Sequence, residues 1–145
     1  MGGIVVVWLL SKENLEVSSA RSLDPGPAAA VTSLIETRSF EFSRRIIELC
    51  ERLWKGTPAA RRLADQLFDC GTSIGANSAE AQGGQTKPDF LAKLAISRKE
   101  SHEVIYWLRL AVASGLVRPE DVAWELDEAH QLRAMITAAI KKGQP

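Results

Sequence analysis

Two cysteines, two histidines, one tyrosine and a formal charge of zero leave this 145-residue chain short of several kinds of chemistry. A pair of cysteines cannot form the disulfide framework of a small secreted domain. Cys50 and Cys70 fall on the apolar faces of predicted helices, where a free thiol acts as a small hydrophobe, and a reducing cytoplasm suits them. Eighteen basic residues balance eighteen acidic ones, and the sequence pI is near 6.7. No global field therefore draws the chain to nucleic acid or a membrane, and phosphate binding would need a local patch. The apolar run at residues 4–10 is seven residues long, against the ~20 that a membrane-spanning helix needs. It also lacks the basic flank and cleavage site of a signal peptide. At this length one domain is expected, able to bury roughly two thirds of the surface of its unfolded chain.

Residues 1–38 read as an N-terminal extension. The valine-rich run at 4–10 suits a short strand or an extended segment covering an apolar surface. Ser18-Ser19, Asp24-Pro25-Gly26-Pro27 and the alanine run that follows suit a loose arm equally well. Removing residues 1–36 separates the two, since only a docked arm contributes stability.

From residue 39 the pattern is helical, and the expected domain covers 39–145. Phe42, Ile46, Leu49, Cys50, Leu53 and Trp54 recur at helical spacing in a first helix over 39–55. Gly56-Thr57-Pro58 supplies a C-terminal glycine, an N-cap and a proline for the first helical position. A second helix carries Leu63, Leu67, Cys70 and Ile74 inward and ends at Gly83-Gly84. Thr86 caps a third, over 87–114, with Phe90, Leu91, Leu94, Ala95, Ile105, Leu108 and Val112 on its apolar face. Gly115 stops it, and the acidic Glu120-Asp121 opens a fourth, with Val122, Leu126, Ala129, Leu132, Met135, Ile136 and Ile140 inside and Lys141-Lys142 at its C-terminal end. Four amphipathic helices with short connections predict an all-α, antiparallel, up-down-up-down four-helix bundle with an N-terminal extension.

Two stretches break the simple pattern. Gly71, Gly75 and Ala79 repeat every four residues and make a smooth ridge on which another backbone can lie close. Each interior glycine costs about 1 kcal/mol of helix propensity relative to alanine, so tertiary or subunit contacts must offset it. In the third helix, 97–103 is polar for about two turns and must be exposed, paired, or buried within a hydrogen-bonded network. Glu80, Glu100 and Glu103 are the carboxylates concerned, with Asn77, Gln82, Arg98 and Lys99 as candidate partners.

Thr72-Ser73-Ile74-Gly75-Ala76-Asn77, Glu80-Ala81-Gln82, Asp89-Phe90 with Lys93, Lys99-Glu100 with Glu103, and Tyr106-Trp107-Leu108 together resemble the bacterial four-helix-bundle proteins found in intervening sequences of the 23S ribosomal RNA gene. The resemblance covers about 40–142. It implies a left-turning antiparallel bundle assembled as a homopentamer, with no established enzymatic activity. A related branch serves as the accessory protein of diversity-generating retroelements, a basic pentamer engaging a reverse transcriptase and nucleic acid. This chain departs from the pattern at Ser78, where the family usually has a larger aliphatic residue and one contact is expected to loosen. Gly83-Gly84 also replaces the usual polar pair. From residue 39 onward, fifteen basic and fourteen acidic residues leave a surplus of only one positive charge, unlike the basic retroelement branch.

Catalytic constellations are weak. Asp127-x-x-His130 is one half of a carboxylate-bridged metal motif that Glu80 and Glu103 could face, but Lys99 precedes His102 where a second half would need a carboxylate. Ser73, Ser101 and His102 lack a nucleophile elbow. The stretch 83–87 lacks the glycine spacing of a phosphate loop, although it precedes a helix N-terminus and could attract an anion weakly. No catalytic, metal or cofactor residue is assigned. The expected role is a non-enzymatic scaffold or interaction protein that forms a homo-oligomer, pentameric by resemblance. Gly71, Gly75, Asn77, Glu80, Gln82, Glu100, Glu103, Tyr106 and Trp107 are expected in subunit packing or register. Partners are further copies of itself, another protein, or structured RNA, and no membrane. The alternative is a nucleic-acid-binding accessory protein with Arg44, Arg45, Arg61, Arg62, Arg98 and Lys99 on phosphates. Trp54, Tyr106, Trp107 and Trp124 could then stack on bases, though helix packing accounts for them equally.

Overall fold

A computed structural model describes residues 26–144. The reading of 4–10 as a strand or loose arm lies outside those residues. The described chain forms α1 (Pro27–Leu53), α2 (Pro58–Gln82), α3 (Lys87–Ala113), a 3-10 turn (Pro119–Asp121) and α4 (Ala123–Gly143), with no strand among the described residues. None of the described helices is long and apolar enough to cross a membrane.

The helices pack as a bundle in which α1 touches α2 and α4, and α3 touches α2 and α4. Contacts advance along one helix as they recede along its neighbour. Ser39 meets Ser78, Ser43 meets Gly71 and Cys50 meets Ala64, as between antiparallel helices. The punctuation works as expected. The Thr57 hydroxyl accepts from the Ala60 amide with Pro58 next in line, and the Thr86 hydroxyl accepts from the Asp89 amide. Gly115 sits at φ 68°, a left-handed conformation that glycine adopts without strain.

One expectation fails by twelve residues: α1 starts at Pro27, not residue 39. Pro27 is preorganised for a first turn, and Ala28-Ala29-Ala30 have the best helix propensity available. Tertiary contacts hold this portion in place, since Ile35 and Ser39 are fully buried and Arg38 reaches across to α4. At the other end of the chain, the acidic opening of α4 is a separate 3-10 turn, and the α-helix begins at Ala123.

The core is built from Phe42, Ile46 and Leu49 of α1, Leu67 and Ile74 of α2, Leu94, Val104 and Leu108 of α3, and Leu132 and Ile136 of α4. Cys50 and Cys70 are free and buried. Burial pushes both thiols up to about 12, aided by Asp65 at Cys50 and by Glu103 and Glu100 at Cys70.

Candidate interaction surface

The small-residue ridge of α2 is filled from within the chain. A Cβ added at Gly71 would lie 2.6 Å from Ile46 Cγ2. One at Gly75 would lie 2.7 Å from Ser43 Oγ and 3.1 Å from the Ser39 carbonyl. The two glycines therefore let α1 approach α2 closely, and this contact offsets their low helix propensity. Ala79, the third member of the ridge, is exposed.

A chain of hydroxyls continues from that contact into the bundle. Ser39 Oγ donates to the Ile35 carbonyl at 2.6 Å and lies 3.5 Å from Ser78 Oγ, which is 3.2 Å from Ser97 Oγ. Ser97 donates to the Ile74 carbonyl at 3.1 Å, and Ser101 to the Ser97 carbonyl at 2.7 Å. All four serines are buried. The polar stretch of α3 is thus split: Ser97 and Ser101 enter the core within a hydrogen-bonded network, while Lys99 and His102 stay exposed and Arg98, Glu100 and Glu103 are half-buried. Ser78 is buried, and its hydroxyl links α1 to α3 through α2. Among the described residues every buried side-chain nitrogen or oxygen has a hydrogen-bond partner.

The carboxylates singled out in the sequence line the outer seam between α2 and α3. Glu80 pairs with Lys93 across the seam. Glu100 is mostly shielded and takes a 3.3 Å contact from Lys99 Nζ, and Glu103 accepts from Trp107 Nε1 at 3.3 Å. Asn77 donates to the Ser73 carbonyl at 2.9 Å on the facing side of α2, whereas Gln82 is exposed at the helix end. Towards the C-terminal half of α3 the seam turns apolar. Tyr106, 59% exposed, stands edge-on to Trp107 with ring centroids 5.0 Å apart. Leu110 lies between two grooves here. One of 620 Å³ runs beside Leu63, Trp107 and Leu116, and the other, of 540 Å³, beside Tyr106, Pro119 and Leu126.

The six candidate phosphate-binding residues do not gather into one patch. Arg44 lies between Glu41 and Glu48 on the outer face of α1, and hydrogen bonds to both carboxylates raise its pKa. Arg45 turns towards α4, donating to Glu125 Oε1 at 3.0 Å and covering the Trp124 ring at 4.3 Å. Arg61 and Arg62 are exposed on the first turn of α2, whereas Gly71 stands level with Ser43. The two arginine pairs are thus about 13 Å apart along the bundle. Arg98 is half-buried on α3, and Lys99 is held by Glu100.

Other constellations are dispersed as well. Asp127 accepts from Gln131, while His130 and His102 both face Arg133 rather than Glu80 or Glu103. Among the described residues no three His, Cys, Asp or Glu side chains converge as metal ligands do. Ser101 is buried beneath a backbone carbonyl, away from its exposed neighbour His102. Asp89 already places a carboxylate at the N-terminus of α3, the end an anion would seek.

The buried charges escaped the sequence reading. Arg38 donates to both Glu128 oxygens at 2.7 and 2.6 Å and to Gln131 at 2.7 Å, and the Glu128 bond is the main cause of its raised pKa. Glu125 and Glu128 are 3% and 7% exposed. The available signal is Glu125-x-x-Glu128 on the inner face of α4, facing arginines two turns apart on α1.

Residues 33–138 match the family described as 23S rRNA-intervening sequence protein. A crystal structure at 1.70 Å of a protein of unknown function from the S23 ribosomal protein family of Bacteroides thetaiotaomicron VPI-5482 is similar, with 30% identity and a TM-score of 0.71. The similarity covers 77% of this chain and 98% of that one. No curated protein matches the sequence. Neither description names an enzyme. With the family match spanning most of the chain and a four-helix architecture shared with that relative, the protein belongs to the 23S rRNA-intervening sequence protein family.

Proposed function

We propose that the protein is a non-enzymatic interaction module of the cytoplasm that assembles as a homopentamer and presents a composite outer surface to a protein partner. The observation that carries this reading is the Tyr106-Trp107-Leu110 surface on α3. It is an apolar ridge with an amphipathic aromatic at its crest and a groove on either side. Surfaces of this composition supply binding energy at interfaces. The adjoining Glu80, Lys93, Glu100 and Glu103 would fix register through directional polar contacts. The dispersed Ser, His, Asp and Glu side chains support a binding role over a chemical one.

Native mass spectrometry of the full chain, alongside Leu110→Glu, tests this. The expected result is a pentamer for the parent chain and a folded monomer for the variant. A monomeric parent, or a variant that assembles unchanged, would overturn the reading. RNA retained by the parent, with affinity falling steeply as salt rises, would favour the nucleic-acid alternative, because counterion release accompanies phosphate binding. Arg61 and Arg62, exposed side by side, would then be the first residues to replace.

A further inference from the structure

At the end of the bundle where α1 begins, three helices leave an apolar groove of 340 Å³ between them. Pro27, Ala28 and Val31 of α1 form one wall, Phe90 of α3 the floor, and Ala138 and Ala139 of α4 the opposite wall. The α4 wall lies close against the floor helix, since a Cβ added at Gly143 would lie 2.5 Å from the Leu91 side chain of α3. Val31 is 38% exposed on the rim. The short alanine and valine side chains on both walls leave a depression, which larger apolar side chains would fill.

We propose that residues 4–10 of the same chain occupy this groove. Pro27 is both a wall of the groove and the point at which the preceding residues join the bundle, so the occupant is tethered at the site itself. Among residues 1–25, only 4–10 place large apolar side chains in succession, Ile-Val-Val-Val-Trp-Leu-Leu. Its β-branched run favours an extended chain, which turns alternate side chains to one face. That face would carry Val6, Trp8 and Leu10, or Val5, Val7 and Leu9. Sixteen residues separate Leu10 from Pro27. Closing a loop of that length costs little more than closing a shorter one, because the entropy rises only logarithmically. The tether also supplies an effective concentration in the millimolar range, far above that of a second copy in dilute solution.

Disulfide trapping in the full chain tests the placement. Ala138→Cys is combined in turn with cysteine at each of positions 5 to 10, and Ala76→Cys on the exposed face of α2 serves as the control partner. The native thiols stay in place, being buried. The expected outcome is an intramolecular disulfide with Ala138→Cys at alternate positions, formed at least about tenfold faster than with the control, as the tether's effective concentration requires. Rates no higher than the control would overturn the proposal. Disulfides formed only between chains would do so too, by giving the groove to a second copy. The outcome does not depend on whether the protein forms a pentamer.

Discussion

The two flanks of α1 meet their neighbours by opposite means. On one side Gly71 and Gly75 remove side chains so that α2 comes close enough to touch Ile46, Ser43 and the Ser39 carbonyl. On the other, Arg38 and Arg45 reach across to Glu128 and Glu125 of α4. The first seam is close, and its specificity is steric, because even a methyl group would collide. The second is bridged by long charged side chains whose specificity is electrostatic, and it rests on complete pairing, since a lone buried charge is costly. A bundle held on one side by shape and on the other by charge should respond differently to volume, charge removal and pH.

The largest effect concerns the thiols that flank the close seam. Cys50 donates to the Ala64 carbonyl at 3.3 Å, and both thiols are pushed up from the ordinary 9.0 to about 12. Thiolate content at pH 8 should therefore be about a thousandfold below that of a free cysteine. Iodoacetamide should label them only after unfolding. Rapid labelling of the native protein would show that this side of the bundle opens readily.

Charge removal comes next. Glu128→Ala strands the Arg38 guanidinium, at a cost of about 2–3 kcal/mol in urea unfolding, below the usual 3–5 for a broken buried pair because Arg38 keeps Gln131 and some solvent. Replacing Arg38 and Glu128 together by Met and Leu should restore most of that loss. If Glu128→Ala left stability unchanged, the α4 seam would not depend on the pair.

A smaller loss is expected at the ridge. Gly71→Ala gains about 1 kcal/mol of helix propensity, yet places a methyl 2.6 Å from the fully buried Ile46. Overpacking of about 1–3 kcal/mol should outweigh the gain by roughly 1 kcal/mol. Gly71→Ala combined with Ile46→Val should recover part of it. A more stable single variant would show that α1 and α2 can separate without penalty.

The smallest effect is with pH. Hydrogen bonds from Arg44 and Arg118 hold Glu41 and Asp121 below their ordinary values. The folded state thus binds these protons less readily than the unfolded state. The stability they contribute is present above the ordinary carboxylate range and is lost as pH falls through the lowered values. Both pairs lie at the surface, so acid titration of the melting temperature should move little on their account. Glu41→Gln should flatten the curve only slightly in that range.

The fold was largely legible because its signals are local. Thr57-Pro58, Thr86 and Gly115 mark helix ends through their own backbone chemistry, and apolar spacing identifies Phe42, Ile46, Leu67, Ile74, Leu108 and Leu132 as core. The start of α1 was not legible, because residues 27–38 are held by Ile35 in the core and Arg38 on α4. The candidate surface was only partly so. Tyr106 and Trp107 were singled out, but the grooves beside them need Leu63, Leu116 and Leu126 from other parts of the chain.

By itself the sequence determined how many helices form, where two of them begin, which way each turns its apolar face, and that the glycines at 71 and 75 require a close neighbour. Those follow from propensity, capping and periodicity, which act over a few residues. Tertiary structure alone decided that the neighbour is α1 of the same chain, and that Ser39, Ser78, Ser97 and Ser101 lie inside. It also decided that Glu125 and Glu128 meet arginines eighty or more positions earlier. A polar group is stable in the interior only when its partner arrives with it, and these partners come together only when the bundle closes.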